Sequence, residues 1–229
     1  MELSSRLLSI AKQVPKEAII ADIGTDHAYI PIYLCKRKII KKAIATDINK
    51  GPLIRAKQNI KQNKLEQIIE TRLGNGLEPI KINEVNTIII AGMGGKLIID
   101  ILDKKPEIVK GAKRIILQPQ IDQKEVRKYL HKINFKIINE EIIYEDNKYY
   151  FVITAEPGIE KYNNEKEYLF GVILVLNKNP ILKQYIQQRI ITLHNILNKL
   201  QKINTENTLK RLFEIKEEIK YCEEVLKCL

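Results

Sequence analysis

The sequence predicts an α/β protein: a largely parallel sheet covered by helices on both faces, followed by a C-terminal α-helical hairpin. Three observations predict it. Through residue 155, short β-branched runs alternate with stretches of helical length, the mark of successive strand–helix–strand units. The runs are almost continuously apolar, which points to strands buried on both faces. Beyond residue 160 the strand pattern stops and apolar residues recur at helical spacing.

The opening MELSSRLLSIAKQ reads as a short amphipathic helix, with Leu3, Leu7, Leu8 and Ile10 on one side. It lacks the basic start and long apolar run of a secretory signal. Residues 18–22 (AIIAD) form the first strand and 43–47 (AIATD) the second, each ending in an acid, and 27–38 between them has helical length and pattern. Gly51-Pro52 opens a helix that runs to residue 63, with Pro in the first turn, where its missing N–H is harmless. Residues 68–73, 87–91 and 114–118 are the third, fourth and fifth strands; helices begin at Lys96 and cover 123–132. Residues 135–144 and 149–155 close the sheet as an antiparallel pair around Asp146-Asn147. Pro157-Gly158 breaks the chain and sets the expected domains at 1–157 and 158–229.

In the second domain GVILVL (171–176) is ambiguous between strand and helix. From 180 to 204, Leu182, Ile186, Ile190, Leu193, Leu197 and Leu200 keep helical step, and Asn204-Thr205 ends that helix and caps the next. There Leu212, Ile215, Ile219, Cys222, Leu226 and Leu229 follow the alternating spacing of a heptad seam, so an antiparallel hairpin or coiled coil is expected.

Of the 229 residues, 45% are apolar, enough for a substantial core, and no apolar run is long enough to span a bilayer. Cys35, Cys222 and Cys228 form no CxxC, and His27, His131 and His194 form no HExxH pair, so neither a disulfide framework nor a metal site is expected and a reducing cytoplasm fits. Net charge is +11, which suits an anionic partner such as nucleic acid. Compositional drift toward Lys, Ile and Asn produces the same charge. The excess lies early in the chain: residues 1–155 hold 27 Lys and Arg against 18 Asp and Glu, and 156–229 hold 12 against 10.

Chemistry is concentrated at the strand ends. In ADIGTDHAYIP (21–31), Asp22 ends the first strand and Gly24 permits a tight turn beside a ligand. Asp47 ends the next strand, where an acid accepts ribose hydroxyls or caps the following helix. The loop has no GxGxxG: Thr25, Asp26, His27 and Ala28 occupy the later positions. Bare backbone lets a diphosphate approach, whereas an added Asp repels it, so a nucleoside cofactor with a cationic sulfonium fits better. Gly74-Asn75-Gly76 follows the third strand as an adenine contact or an ordinary turn. Gly92-Met93-Gly94-Gly95 follows the fourth and leaves room for a flat ligand, and Gln118-Pro119-Gln120 ends the fifth, a candidate lining of the same cleft.

ADIGTDHAYIP, IAGMGG (90–95) and LQP (117–119) resemble the bacterial tRNA adenine N1-methyltransferases that act on position 22 in the D-arm region, and the similarity runs along the whole chain. The resemblance implies a Rossmann-like class I methyltransferase sheet, S-adenosylmethionine as cofactor, tRNA as substrate, and a coiled-coil-like tail. It implies that Asp22, Gly24, Thr25, Asp47, Asn75, Gly76, Gly92, Met93 and Gly94 bind cofactor, and that Asp26, His27, Tyr29 and Pro31 face the reacting centre. Asn75 departs from an acid common in relatives, and Gln120 from an Asn.

Adenine N1 has a free lone pair, so its methylation needs alignment and stabilisation of a cationic product more than a base. Asp26 is expected to supply negative charge or to cap the next helix. Tyr29 is expected to stack on the base or join the core, and His27 to orient Asp26 or touch the ribose-phosphate. Lys36, Arg37 and Lys38, or Lys124, Arg127 and Lys128, are candidate phosphate contacts or solvated helix faces. The rival readings are a methyltransferase of another RNA, a protein or a small molecule, a non-catalytic RNA-binding protein, and a nucleotide-dependent oxidoreductase.

Overall fold

The computed structural model describes residues 2–201 and 205–229. They form two compact units, the first ending at Lys161 and the second spanning Tyr162–Leu229.

The first unit is built on seven strands: β1 (Ala18–Ile23), β2 (Ile40–Asp47), β3 (Ile69–Leu73), β4 (Thr87–Met93), β5 (Arg114–Pro119), β6 (Phe135–Glu145) and β7 (Lys148–Pro157). Their order is β3-β2-β1-β4-β5-β7-β6. The pairings among β1 to β5 are parallel, and β7 lies antiparallel between β5 and β6. This is the Rossmann-like methyltransferase arrangement. The order reverses between β1 and β4, so the carboxyl ends of those two strands border the crevice where α/β sheets bind ligands. The central strands read as apolar runs because both faces are covered: Ile88, Ile89, Ile90, Ile115, Ile116 and Leu117 are all fully buried. Each such side chain contributes about 1.5–3 kcal/mol relative to exposure.

The helices are α1 (Ser5–Lys12), α2 (Tyr29–Lys36), α3 (Lys50–Gln62), α4 (Gly95–Asp103), α5 (Pro106–Gly111) and α6 (Gln123–Lys132). Ser4 caps α1 by accepting from Leu7 N. The first turn expected for α2 is displaced: the helix starts at Tyr29 because Ala28 is left-handed at φ 56°. Thr25, not Asp26, supports that entry, its Oγ1 accepting from Ala28 N at 3.2 Å. α5 was not expected from the sequence. The β6–β7 hairpin turns at Asp146-Asn147, both at positive φ, the conformation that matches the strands' twist.

Arg127 departs from its expected role on a wet basic face. It is fully buried on α6, with Nε 2.6 Å from Oε1 of Glu140 on β6. Burial raises the Glu140 carboxyl above its ordinary value, and the guanidinium beside it opposes that shift. Arg127 is therefore a core residue and is removed from the phosphate candidates.

The second unit is helical: α7 (Glu165–Phe170), α8 (Val172–Leu176), α9 (Pro180–Leu200) and α10 (Glu206–Leu226). GVILVL resolves as helix after Gly171. Asn179 caps α9 through Ile181 N and Leu182 N, with Pro180 in the first turn. α9 buries Leu182, Ile186, Leu193 and Leu197, while Ile190 and Leu200 are half-buried. α10 packs along α9 and buries Ile215, Ile219, Cys222 and Val225. Val225 takes the place expected for Leu226, which is half-buried. Arg189 and Glu218 pair across the two helices at 2.7 Å. Thr205 caps α10; Asn204, read as part of the same stop signal, lies outside the described residues.

Candidate active site

A cavity of about 370 Å³ opens at the ends of β1 and β4, within the size range of small-molecule sites. Its lining includes Arg6, Asp22, Gly24, Thr25, Asp26, His27, Tyr29, Gly92 and Gln120. The sequence-predicted loop after β1 thus contributes most of one wall.

The strand register builds this wall. Asp22 lies opposite Ala45 and Ile23 opposite Thr46, so β1 and β2 present their acids at neighbouring tips. The Thr46 carbonyl then accepts from both Gly24 N and Thr25 N at 2.8 Å, turning the chain sharply. Gly24 takes φ +73°, a conformation that favours glycine, and a Cβ there would only displace the flexible end of the Met93 side chain reaching across from β4. Asp22 is 6% exposed. Burial pushes its carboxyl up to about 6, and the Thr25 hydroxyl, hydrogen-bonded to it, pulls the other way.

The next residues of the loop are tied to α3. Arg55 Nη2 donates to Asp26 Oδ1 at 2.5 Å, and Asn59 Nδ2 donates to the His27 carbonyl at 3.0 Å. His27 Nε2 lies 3.2 Å from Asp26 Oδ2. The His27 and Tyr29 rings stack at 4.9 Å, 8° from parallel, and Tyr29 is 40% exposed. The pair sets a flat surface beside the cavity, with Tyr29 exposed and His27 half-buried. Pro31 is buried within the first turn of α2 and is absent from the lining.

Asp47, Asn75, Gly76, Met93 and Gly94 also lie outside the lining, although the first three continue the same row of strand tips. Asp47 Oδ1 accepts from Asn49 N at 2.7 Å, and the Asp47 carbonyl accepts from Gly74 N. That bond sets Asn75-Gly76 beside β2, with the Thr46 hydroxyl on the Gly76 carbonyl. The GMGG glycines divide by role. Gly92 adopts φ +77°, whereas Gly95 is needed because a Cβ would meet the Ile121 carbonyl and Asp122 at 2.8 Å.

Sequence reasoning missed Arg6, Arg55 and Asn59 as partners of this site; of the Gln118-Pro119-Gln120 segment read as lining the cleft, Gln120 lines it and Gln118 lies behind it. Gln118 is fully buried at the end of β5, and its Oε1 accepts from Gly92 N and Arg6 Nη1. LQP carried the available signal for Gln118; the three others come from helices whose sequences look like ordinary amphipathic surface.

Comparison with known proteins places this geometry. Residues 3–153 match a methyltransferase domain family. The tRNA (adenine(22)-N(1))-methyltransferase of Bacillus subtilis is 35% identical over 99% of this chain and 98% of its own. The chain belongs to that methyltransferase family. A Streptococcus pneumoniae structure described as a putative tRNA (m1A22) methyltransferase in complex with S-adenosyl-L-methionine matches with a TM-score of 0.90. It is 33% identical and covers 98% of this chain and 100% of its own. TrmK of M. capricolum, in complex with S-adenosyl-homocysteine, matches at 0.88 with 34% identity, covering 100% and 99%.

The residues of this methyltransferase fit such a cofactor. Asp22 is a buried acid with no cation in ion-pair range among the described residues, the partner a sulfonium or ammonium group requires. The loop presents carboxylates where a diphosphate binder presents bare amides. Buried Gln118 Nε2 has no hydrogen-bond partner among the described residues, and Gln118 lies behind the lining rather than on it. Among those residues there is no grouping of three metal-ligating side chains, and no helix is long and apolar enough to cross a membrane.

Proposed function

We propose that this protein transfers the methyl group of S-adenosylmethionine to N1 of adenine 22 in the D-arm region of tRNA. The observation that carries the reading is that one cavity is lined by both a buried carboxylate, Asp22, and a stacked pair, half-buried His27 and exposed Tyr29. A cationic cofactor suits the first, and a nucleobase brought out of its stack suits the second.

In this reading Asp22, Gly24, Thr25, Gly92, Met93 and Gly94 hold the methionine end of the cofactor. Asp47 takes the ribose, and Asn75 and Gly76 border its adenine. When bound, the cofactor supplies a methyl group activated by a positive sulfur. The protein's own part is alignment. Tyr29, stacked on His27, fixes the plane of the target base. Asp26, held by Arg55 and His27, places negative charge where the methylated ring becomes cationic. Pro31 shapes the start of α2 beneath that pair. The first unit carries the chemistry, and a tRNA substrate places the enzyme in the cytoplasm.

Incubation with labelled S-adenosylmethionine and unmodified tRNA, followed by nucleoside analysis, tests this reading. 1-Methyladenosine is expected, and is expected to vanish from a transcript carrying guanine at position 22. Asp26→Asn is expected to lower the methylation rate about 100-fold, the low end of the scale of one preorganised electrostatic contact, while leaving S-adenosylhomocysteine affinity intact. An unchanged rate removes the charge-stabilising role of Asp26.

A further inference from the structure

The tip of the β6–β7 hairpin stands above the strand ends that frame the cavity. β7 runs antiparallel to β5 with Leu117 opposite Ile153, so Pro119, the last residue of β5, is level with Phe151. Tyr149 therefore lies two residues beyond the end of β5, about 7 Å further out at the rise of an extended strand. Alternation divides the tyrosines of the tip between the two faces of the sheet. Tyr150 turns toward α1, where the Arg6 guanidinium carbon lies 5.3 Å from its ring centroid. Tyr144 and Tyr149 turn to the α6 side and pair across the strands, their ring centroids 4.7 Å apart and their planes at 42°. The pair steadies the hairpin and still leaves ring surface in solvent. Tyr144 is 46% exposed. One side of its ring meets Tyr149, and its hydroxyl donates to Asn147 Oδ1 at 3.2 Å, so the part that faces solvent is chiefly the other face of a ring fixed in place.

α6 brings positive charge to the same corner. Its first turn is at the strand tips, directly after β5. Arg127 pairs with Glu140 and lies over the Phe151 ring, which fixes the side of α6 that meets this face of the hairpin. Lys124 is three residues earlier, on the same side of the helix and about 4.5 Å nearer the tip. In that direction the next residues of the same sheet face are Ile142 and Tyr149. Half-buried Lys124 thus approaches the tyrosine pair. At the tip itself Asp146 and Lys148 offset one another, and Glu145 accepts from Ser5 N and Arg6 N.

We infer that Tyr144 and Tyr149, with Lys124 beside them, form a second nucleotide site that takes an unpaired nucleotide of the tRNA, its base on the Tyr144 ring and its phosphate near Lys124. This rests on the tRNA methyltransferase reading above. The target base is not the occupant: β6 is three strands from β4, about 14 Å at the usual strand spacing, so the two places hold different nucleotides of one RNA. A flat ring beside an ammonium group suits a nucleotide better than an aliphatic protein surface, and stacking accepts any base. The site adds affinity and register, not chemistry.

Binding of an unmodified tRNA transcript in the presence of S-adenosylhomocysteine tests the site. Tyr144→Leu keeps an apolar contact with Tyr149 but removes the ring, and it weakens tRNA binding about 5- to 150-fold; Tyr144→Phe restores the affinity. In turnover the loss appears in KM for tRNA. S-adenosylhomocysteine binds both variants as it binds the wild type. Lys124→Gln lowers the slope of the salt dependence of tRNA binding by about 1, and an unchanged slope removes Lys124 from the site. Wild-type tRNA affinity in Tyr144→Leu overturns the site, as does an equal loss in Tyr144→Leu and Tyr144→Phe. A concentration-dependent dimer that Tyr144→Leu abolishes, with tRNA affinity unchanged, overturns it in favour of a second copy of this chain. Failure of the wild-type protein to bind tRNA is a different outcome: it overturns the tRNA reading itself, and this site with it.

Discussion

Two places in the sheet unit take charge out of water, and they do so differently. Between α6 and β6, Arg127 is 0% and Glu140 4% exposed, and the chain supplies both signs 2.6 Å apart. At the tip of β1, Asp22 is 6% exposed and has the Thr25 hydroxyl beside it, with its carboxyl raised to about 6. The first burial is completed within the protein. The second waits for something that arrives. A charge compensated internally reports on stability; one left uncompensated at a crevice reports on a ligand.

The largest expected effect breaks the internal pair. Arg127→Met strands Glu140 in the core and is expected to cost about 3–5 kcal/mol, read from urea unfolding. The double variant Arg127→Met/Glu140→Leu is expected to recover most of it. A neutral single variant would mean that the pair is not what holds α6 to β6.

Asp22→Asn sharpens the other half. It is expected to weaken S-adenosylhomocysteine binding about 10- to 100-fold, or about 1.4–2.8 kcal/mol, with the melting temperature unchanged or raised. Lost stability with unchanged affinity would make Asp22 a second structural charge. The pH dependence has opposite signs for binding and folding. A cationic ligand favours the ionised acid, so affinity rises as pH climbs through about 6 and then levels. The native state holds its proton over the window from the ordinary 3.8 to about 6, where the unfolded chain has lost it. The contribution of Asp22 to stability therefore falls as pH rises across that window. Both dependences are expected to disappear in Asp22→Asn.

The smallest effect concerns an exposed pair. Arg55→Ala releases Asp26, but the two side chains are 48% and 61% exposed, so stability is expected to change by about 0–1 kcal/mol. A drop several times larger would show that the loop after β1 is clamped from α3 for stability rather than for alignment.

The strands of the sheet were legible because their burial on both faces leaves a continuous apolar run, as in TIIIA and RIILQ. The β6–β7 turn was legible because Asp and Asn tolerate positive φ. The start of α2 was not, since Ala28 is left-handed against its own preference, its N–H held by the Thr25 hydroxyl. α5, α7 and α8 are too short for a periodic signal. Asp22, Gly24 and the GMGG turn were legible because acids and glycines at strand ends have few other reasons to be there. Arg6 and Arg127 were not. What decides each role lies on another element: Gln118, 112 residues on, for Arg6, and Glu140, 13 residues on in the next strand, for Arg127.

The fastening of α1 has a consequence for how the protein is made. The acids that secure this helix, Glu141 and Glu145, follow their partners by 128 to 140 residues. Early in translation the helix that bears Arg6 can pack against α2 but lacks the acids of β6 that fasten it, even when β1, β2 and their loop are already outside the ribosome. Contacts of such long sequence separation form late. The cleft therefore becomes competent only when the terminal hairpin of the sheet has emerged and folded back, and a nascent chain stalled before that hairpin would carry every motif of the loop after β1 without a finished wall.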